Sequence, residues 1–494
     1  MTNWKRTLAA CLAAAVLAGH AVAQQAFTEN EIAASPAAQK LRQMLDAITS
    51  GEEAIQAFAA ANPRQQASAQ PEDSRLYELL HLRRASRGYT LLRFARVTPT
   101  EAEAAIRNLL SGDLESVLVR VEAEPPHRIR GYRIGADMAL QTGTAPLATD
   151  EERVREVAAY TKRLADADYF SGTVLIAKEG KPIFEQAYGF ADRERRIPNR
   201  IDTRFRLASL NKMITALAIG RLVEQGKLSY EDPLSKFVPD YPDRASAQKI
   251  RVKHLLSHTS GLGDAHDFLQ SAQFWANVGK VVDVPSTLAV AGRAPLEFEP
   301  GTRWNYSNTG FVLLGRIIEI VTGQDYFAHL AGTMFRPLRL ASTGFPHFDA
   351  DRRIALPYET RLTNDGKLEL AVAKERTRRG GPAGDAASNV HDLLRFAEAV
   401  RTGRVVSQET LRLLSKRKPE LQSPFYGYGM SQDFPGRDIY GHGGGGPGIC
   451  TELGIIRDTP SPYTVVVLGN SQAACKGIVS KIFHSFRPPA QLTP

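Results

Sequence analysis

Ser209 and Lys212 stand three residues apart at the beginning of the segment 209–225, SLNKMITALAIGRLVEQ, whose apolar residues recur at helical spacing. Because residues i and i+3 are neighbours on a helix surface, the lysine amine can approach the serine hydroxyl. The dipole at a helix N-terminus also favours an alkoxide or an oxyanion. This is the S-x-x-K arrangement of an activated serine nucleophile.

The spacing alone does not single out this serine, because S-x-x-K also occurs at Ser246/Lys249 and at Ser415/Lys418. The first of these pairs lies in the polar stretch DRASAQKI, and the second is followed at once by a proline. Neither leads an apolar helix. The alternative for Ser209 is a helix cap followed by a surface lysine, and the long apolar helix that we expect after it favours the nucleophile.

Tyr306 and Asn308 form the second motif, YSN, which we place in a turn before a helix over 310–321. Both side chains can then face one cleft. A phenol beside an ammonium has a lowered pKa, because the positive charge stabilises the phenolate. Such a group can take a serine proton and return it to a leaving group, while the asparagine amide can contact a substrate carbonyl.

The third motif is GHGGGGPG at 441–448, where three glycines satisfy the G-x-G-x-x-G spacing of nucleotide loops. A nucleotide loop needs a helix after the glycines, whereas the following PGICTELGII has a proline and the texture of a strand. The stretch VVVLGNSQAACKG is similar to the nucleophile elbow of α/β-hydrolases. No acidic residue lies between Ser471 and His484 to complete that triad in its usual order.

A metal site is the remaining chemical alternative, and its candidate ligands are His254, His258, Asp264 and His266. A histidine pair at i and i+4 can bind metal, but the glutamate of an H-E-x-x-H motif is missing. We therefore expect neither a metal nor a cofactor.

The three motifs, together with KHLLSHTSGL at 253–262, resemble serine hydrolases of the class C β-lactamase and penicillin-binding protein type. That family includes D,D-carboxypeptidases, D-aminopeptidases and esterases, and the resemblance covers about 160–487. It implies an α+β, β-lactamase/transpeptidase-like fold with an antiparallel sheet flanked by helices. It also implies Ser209 as the acylated nucleophile, Lys212 and Tyr306 as its base system, and Asn308 as a substrate contact.

In the same resemblance, His442, Gly443 and Gly444 stand where the family has a Lys-Thr-Gly triplet on an edge strand. The backbone N–H groups of Ser209 and Gly445 then form the oxyanion hole. A histidine is only partly charged near neutral pH, and Gly443 lacks the hydroxyl often found there. Both departures argue against efficient β-lactam hydrolysis.

The expected function is therefore an exported serine hydrolase that forms an acyl-enzyme with small ester, amide or peptide substrates, including D-amino-acid peptides of the cell wall. A β-lactamase is the alternative within the class. The alternative from another class is a catalytically inactive periplasmic binding protein on the same fold, which would normally have lost Ser209, Lys212 or Tyr306.

The composition, 43% hydrophobic and 23% charged, is that of an ordinary globular protein. The net charge of +9 is spread along the chain, and its densest run, KERTRRGG at 374–381, has no interleaved aromatics, so no nucleic acid is expected. Residues 1–23 have the basic start, short apolar run and small-x-small site of a cleaved signal peptide. They predict a periplasmic or secreted protein without a transmembrane segment. Cys11 lies too early in the apolar run to predict a lipid anchor, whereas Cys450 and Cys475 can pair in an oxidising compartment.

Residues 24–150 are expected to form a small helix-plus-antiparallel-sheet domain of unknown role. Its predicted strands are 89–97, 115–124 and 127–134, and its linker is 141–152. The hydrolase domain is placed at 153–487, with its sheet built from strands near both ends, and a disordered tail at 488–494. The oligomeric state stays open.

Overall fold

The computed structural model describes residues 27–64, 74–136, 147–239, 241, 243–262, 280, 282–291, 296–373, 377–432, 436–471 and 474–488. The predicted signal peptide, half of the predicted linker, most of the tail, Asp264 and His266 lie outside these ranges. Contacts divide the chain into two units, one of residues up to Ala145 with Leu362–Leu368 and the other of the remainder. Within the described ranges, no helix has the length and apolar run needed to cross a membrane.

The first unit packs helices on one four-stranded antiparallel sheet of order β1-β2-β3-β4. The core of the unit includes the buried face of α2 and the buried valines of β3. The helices are α1 (Glu29–Ala34), α2 (Pro36–Ser50), α3 (Glu52–Ala61) and α4 (Arg75–Ser86), and the strands are β1 (Tyr89–Val97), β2 (Glu101–Asn108), β3 (Leu114–Val121) and β4 (Ile129–Ala136).

Sequence patterns missed the strand β2 in this unit. Its sequence, EAEAAIRN, is rich in alanine and glutamate, which have low strand propensity. It nevertheless pairs with β1 on one side and β3 on the other, and its alanines at 102 and 104 are buried. Small side chains suit this position, because α2 packs closely over the sheet.

The second unit is built on a five-stranded antiparallel sheet of order β13-β14-β15-β5-β6. Strands from the two ends of the unit therefore pair in one sheet, as the sequence predicts. Its strands are β5 (Gly172–Lys178), β6 (Lys181–Tyr188), β13 (Ile439–Gly446), β14 (Ile449–Ile456) and β15 (Tyr463–Gly469). The glycine motif forms the edge strand β13 and turns back directly into β14, so no helix follows the glycines.

Helices cover both faces of this sheet. Tyr463 donates a hydrogen bond to Asp150 of α5 (Asp150–Asp166), and the next residue, Thr464, bonds to Glu398 of α12 (Val390–Arg401). Successive strand residues point to opposite faces, so α5 and α12 lie on opposite sides. The start of α5 also shows that residues 150–152 belong to a helix rather than to a linker. α14 (Ala474–Ser485) packs with α5, and Cys475 at its start forms a disulfide with Cys450 of β14.

The other elements of this unit complete the helical layer and its connections. They are α6 (Asn211–Glu224), α7 (Arg244–Lys249), α8 (Val252–Leu256), α9 (Val284–Ala291), α10 (Asn308–Thr322), α11 (Tyr326–Leu330) and α13 (Gln408–Ser415), with the short strands β7 (Phe190–Asp192), β8 (Ile197–Pro198), β9 (Phe205–Arg206), β10 (Tyr358–Leu362), β11 (Leu368–Val372) and β12 (Ala387–Ser388). Single turns lie at Ala208–Leu210, Leu234–Lys236, Ala331–Phe335 and Pro419–Leu421.

Candidate active site

Ser209 lies in a single 3-10 turn, Ala208–Leu210, immediately before α6. The backbone of Ala208 has a φ of 45°, a left-handed conformation that is uncommon for a residue with a side chain. Hydrogen bonds hold this turn: the backbone N–H of Leu207 donates to the Ala386 carbonyl at 2.8 Å, and the Thr451 hydroxyl donates to the Leu207 carbonyl at 2.8 Å. The nucleophile candidate is thus anchored both to the segment before β12 and to β14.

Lys212 and Tyr306 both reach the hydroxyl of Ser209. The Tyr306 hydroxyl lies 2.7 Å from Ser209 Oγ, and Lys212 Nζ lies 3.1 Å from the same oxygen. Lys212 is fully buried, and its amine also donates to Asn308 Oδ1 at 2.7 Å and to the Ala383 carbonyl at 2.6 Å. The amine also lies 4.7 Å from the centre of the Tyr306 ring. The Lys212 amine therefore joins the side chains that the sequence assigns to one site, because it contacts Ser209 and Asn308 and lies over the ring of Tyr306.

The loop 381–385 is hydrogen-bonded to the beginning of α6. Sequence patterns did not assign this loop to the site. Three successive carbonyls of this loop accept hydrogen bonds from α6: Gly381 from Asn211 at 2.8 Å, Pro382 from Thr215 at 2.7 Å, and Ala383 from Lys212. Asn211 and Thr215 thus position the helix that carries the lysine. The signal available in the sequence was the run GGPAGD, which is typical of a loop with a constrained backbone.

The edge strand β13 packs against the turn that carries Ser209, and glycine makes this contact possible. A Cβ atom at Gly444 would lie 2.2 Å from the Leu207 carbonyl oxygen and 3.1 Å from Ala208 Cβ. A Cβ at Gly443 would meet the Glu452 carboxylate at 2.6 Å, whereas one at Gly445 would meet nothing within 4 Å. The backbone of 444–445 can therefore run beside that of Ser209, which is the arrangement that an oxyanion hole with these two N–H groups requires.

His442 is buried on β13 and is held at both ring nitrogens. Its Nδ1 lies 2.5 Å from the Gly443 carbonyl, which can only accept, so Nδ1 carries the proton. The Tyr426 hydroxyl then donates to Nε2 at 2.8 Å. Burial, together with the nearby Lys212 charge, lowers the pKa of His442 to about 3. The ring is therefore neutral at physiological pH, and the partly charged histidine expected from the sequence is not what the structure gives.

The ring of His258 packs against three aromatic side chains of the candidate site. Its ring packs against Tyr306 with 4.3 Å between centroids, against Tyr426 with 4.6 Å, and against Trp304 with 6.0 Å. Its Nδ1 accepts the Ser307 backbone N–H at 3.0 Å, and Nε2 has no hydrogen-bond partner among the described residues. Burial lowers the pKa of His258 well below its usual value. Neutral His258 thus connects the tyrosine at Ser209 with the one that holds His442.

In the two other S-x-x-K pairs, the described polar groups bond to other residues rather than to each other. The Ser246 hydroxyl bonds to Asp243 while the Lys249 amine bonds to Glu299, and the Lys418 amine donates to the Leu413 carbonyl. No cluster of three or more potential metal ligands occurs within the described ranges.

In the basic run 374–381, Arg379 packs its guanidinium 3.7 Å from the Phe327 ring centre and donates to the Phe345 carbonyl. This arginine is therefore packed against neighbouring residues rather than fully solvated.

Known proteins resemble more than half of this chain. The sequence profile of the family described as Beta-lactamase matches residues 157–476. Esterase EstB of Burkholderia gladioli is 31% identical over 325 residues, which are 59% of this chain and 81% of the esterase.

Solved structures give the same result. A penicillin binding protein from Bacillus halodurans has a TM-score of 0.57 and 28% identity, and the match covers 66% of this chain and 99% of that protein. A D-stereospecific amidohydrolase from Streptomyces sp. has a TM-score of 0.54 and 25% identity, with 68% of this chain and 99% of that protein covered.

Proposed function

The chain belongs to the Beta-lactamase family, and within it we propose an exported hydrolase that forms an acyl-enzyme on Ser209 with ester or amide substrates. The family and the fold class that the sequence predicts are confirmed, and the protein is a serine hydrolase of this family acting on small molecules. The observation that carries the proposal is the convergence of the Tyr306 hydroxyl and the Lys212 amine on Ser209 Oγ, at 2.7 and 3.1 Å.

Two of the contacts of Lys212 prepare it for proton transfer. Carbonyl oxygens only accept hydrogen bonds, so two N–H bonds of the amine are committed to Asn308 and Ala383. The remaining position of the nitrogen faces Ser209 Oγ. There a neutral amine accepts the serine proton, and an ammonium stabilises the alkoxide.

In the proposed reaction, Ser209 Oγ attacks the substrate carbonyl carbon as its proton passes to the Lys212–Tyr306 pair. The negative charge on the carbonyl oxygen is stabilised by the N–H groups of Ser209 and Gly445. The bond from carbon to the leaving oxygen or nitrogen then breaks, and Tyr306 returns the proton to the leaving group. Water, deprotonated by the same pair, hydrolyses the acyl-serine, releases the acid and restores the hydroxyl.

His442 indicates which substrates this site prefers. A buried neutral imidazole, already bonded to Tyr426 and Gly443, offers no positive charge to a substrate carboxylate. Neutral esters and amides are therefore favoured over substrates that need a cation at this position. Esterase EstB and the D-stereospecific amidohydrolase support this choice, and a β-lactamase is the alternative that a chromogenic cephalosporin distinguishes.

Labelling of the mature protein tests the mechanism. A fluorophosphonate is expected to modify Ser209, as located by mass spectrometry, and Ser209→Ala is expected to abolish both the label and the hydrolysis of p-nitrophenyl esters. Ser415→Ala is the matched control, since it removes the serine of another S-x-x-K pair and should label normally. A label elsewhere, or persistent labelling of Ser209→Ala, contradicts the mechanism. No label at all favours the inactive binding protein.

Export is proposed from residues 1–23, and the disulfide between Cys450 and Cys475 supports an oxidising compartment. N-terminal sequencing of the protein released from the periplasm or the medium is expected to begin at Gln24. A mature chain that retains Met1 and stays in the cytoplasm contradicts this proposal.

A further inference from the structure

Two aromatic side chains next to the candidate active site are exposed. Phe425 is 57% accessible, the highest value for a large hydrophobic side chain among the described residues, and Trp304 is 40% accessible. They line one cavity of about 620 Å³ together with Tyr426. Exposed apolar side chains that lie together indicate a binding surface, whereas single exposed ones are ordinary.

This cavity shares two of its lining residues with a cleft at the candidate active site. Trp304 and Tyr426 also line a cleft of about 960 Å³, whose other walls include Tyr306 and His442. Trp304, Tyr306 and Tyr426 all pack on the ring of His258. The aromatic surface therefore adjoins the tyrosine that contacts the nucleophile.

The backbone beneath Phe425 is fixed by hydrogen bonds. The N–H of Gln432 donates to the Phe425 carbonyl at 2.9 Å, and the Ser423 hydroxyl donates to the Tyr426 carbonyl at 3.0 Å. The ring is thus presented to solvent from an ordered segment, and little backbone ordering is needed when a ligand covers it.

The charges around the surface favour a neutral ligand. The Tyr426 hydroxyl is engaged by neutral His442. The cation that lines the cavity, Arg303, lies over the Phe298 ring at 4.7 Å and 4.0 Å from the Glu297 carboxylate. Aromatic rings bind apolar and aryl groups by stacking and area burial.

From this placement, and resting on the proposed function, we propose that Trp304, Phe425 and Tyr426 bind an apolar, preferably aryl, leaving group of a neutral ester or amide. The assignment to the leaving-group side follows from Tyr306. This residue returns the proton to the departing atom in the proposed reaction, and the aromatic surface begins at Tyr306's own neighbours, Trp304 and Tyr426. The acyl group would then lie on the other side of Ser209, away from this surface.

Two series of esters test the proposal. The first keeps an acetyl group and varies the alcohol from ethyl to butyl, benzyl and 2-naphthylmethyl, and the second keeps p-nitrophenol and lengthens the acyl chain. Phe425→Ala and Trp304→Ala are expected to lower the kcat/KM ratio of the benzyl to the ethyl ester by about 3- to 10-fold, the range for one aromatic pair. Phe425→Trp should preserve that ratio, and the acyl-chain series should keep its profile in every variant.

Leu413→Ala is the matched control, because Leu413 is also exposed, at 41%, but lies on α13 and lines neither cavity. Fluorophosphonate labelling of each variant separates the two proposals. If wild-type Ser209 is not labelled, the proposed function fails. If it is labelled and the alanine variants leave the benzyl-to-ethyl ratio unchanged, or alter the acyl series instead, the leaving-group surface is overturned.

Discussion

Gly444 offers a direct test of the contact between the edge strand and the nucleophile turn. In Gly444→Ala, the new Cβ would lie 2.2 Å from the Leu207 carbonyl oxygen and 2.5 Å from Thr451 Oγ1, and both distances are well short of the 3.4 Å at which ordinary contact begins. Neither atom can simply rotate away, because the Thr451 hydroxyl is itself bonded to the Leu207 carbonyl. The strand must therefore move away from Ser209.

The size of the effect follows from this displacement. Overpacking of a well-packed site costs about 1 to 3 kcal/mol of stability. Movement of the 444–445 backbone also withdraws the N–H of Gly445, the proposed oxyanion donor, and the loss of one such donor costs about 2.7 to 4 kcal/mol in the transition state. We expect kcat/KM for a p-nitrophenyl ester to fall about 100- to 1000-fold, with a lower melting temperature.

Gly446→Ala is the control for this experiment, because Gly446 lies on the same strand as Gly444. Its new Cβ would be 3.9 Å from Ile449 Cδ1, which is an ordinary contact distance. It should retain both activity and stability. Steady-state kinetics and thermal unfolding of the two variants decide the question. Wild-type activity in Gly444→Ala, or an equal loss in Gly446→Ala, would refute the argument that this one contact holds the strand beside the nucleophile.

Three further predictions concern the proton path, the pH response and the disulfide. Tyr306→Phe should lower kcat for ester hydrolysis about 100- to 10,000-fold with little change in KM, measured by steady-state kinetics, because it removes a group proposed to transfer protons. Burial depresses the pKa of His442 below its unfolded value of about 6.5, so the stability due to the neutral ring falls as the pH drops from 6.5 toward 3. Between pH 7 and 4.5, the free energy of unfolding measured with urea should fall about 2 to 3 kcal/mol less in His442→Gln than in wild type. Replacing Cys450 and Cys475 by serine, which opens a link across 25 residues, should cost about 3.5 kcal/mol of unfolding free energy.

Each of these expectations has a contrary outcome. An unchanged kcat in Tyr306→Phe would leave Lys212 as the sole base. A pH dependence of unfolding in His442→Gln as steep as that of wild type would mean that the ring is not buried in its neutral form. Equal stability of the double serine variant and wild type, each measured with and without a reductant, would show that the disulfide does not constrain the unfolded chain.

Sequence patterns predicted the bounds of some secondary-structure elements correctly and missed others. Strand β1 has the bounds, 89–97, that were expected from its apolar and aromatic residues. β2 was missed, because its residues favour a helix locally while its pairing with two neighbours decides its conformation. The helix expected to start near 310 begins at Asn308, so this residue lies in its first turn rather than before it.

The sequence by itself determined which residues could carry the proposed chemistry: a serine and a lysine one helical turn apart, a tyrosine and asparagine in a second motif, and a strand with almost no side chains. Helical periodicity and residue type suffice for that conclusion, because S-x-x-K spacing is a local property. Sequence could also rank the three S-x-x-K pairs by the apolar helix that follows Ser209.

Only the tertiary structure decided the state of each group. The three carbonyls of 381–383 that hold α6 come from a loop about 170 residues away in the chain. The charge of His442 depends on its burial and on the Lys212 ammonium, and its tautomer depends on the hydrogen bond with Tyr426. Neither the burial nor these distant partners can be read from the motif. The exposed ring of Phe425 becomes a candidate binding group only because it lines one cavity together with Trp304. Contacts between distant segments set solvation and hydrogen bonding, and these in turn set protonation and specificity.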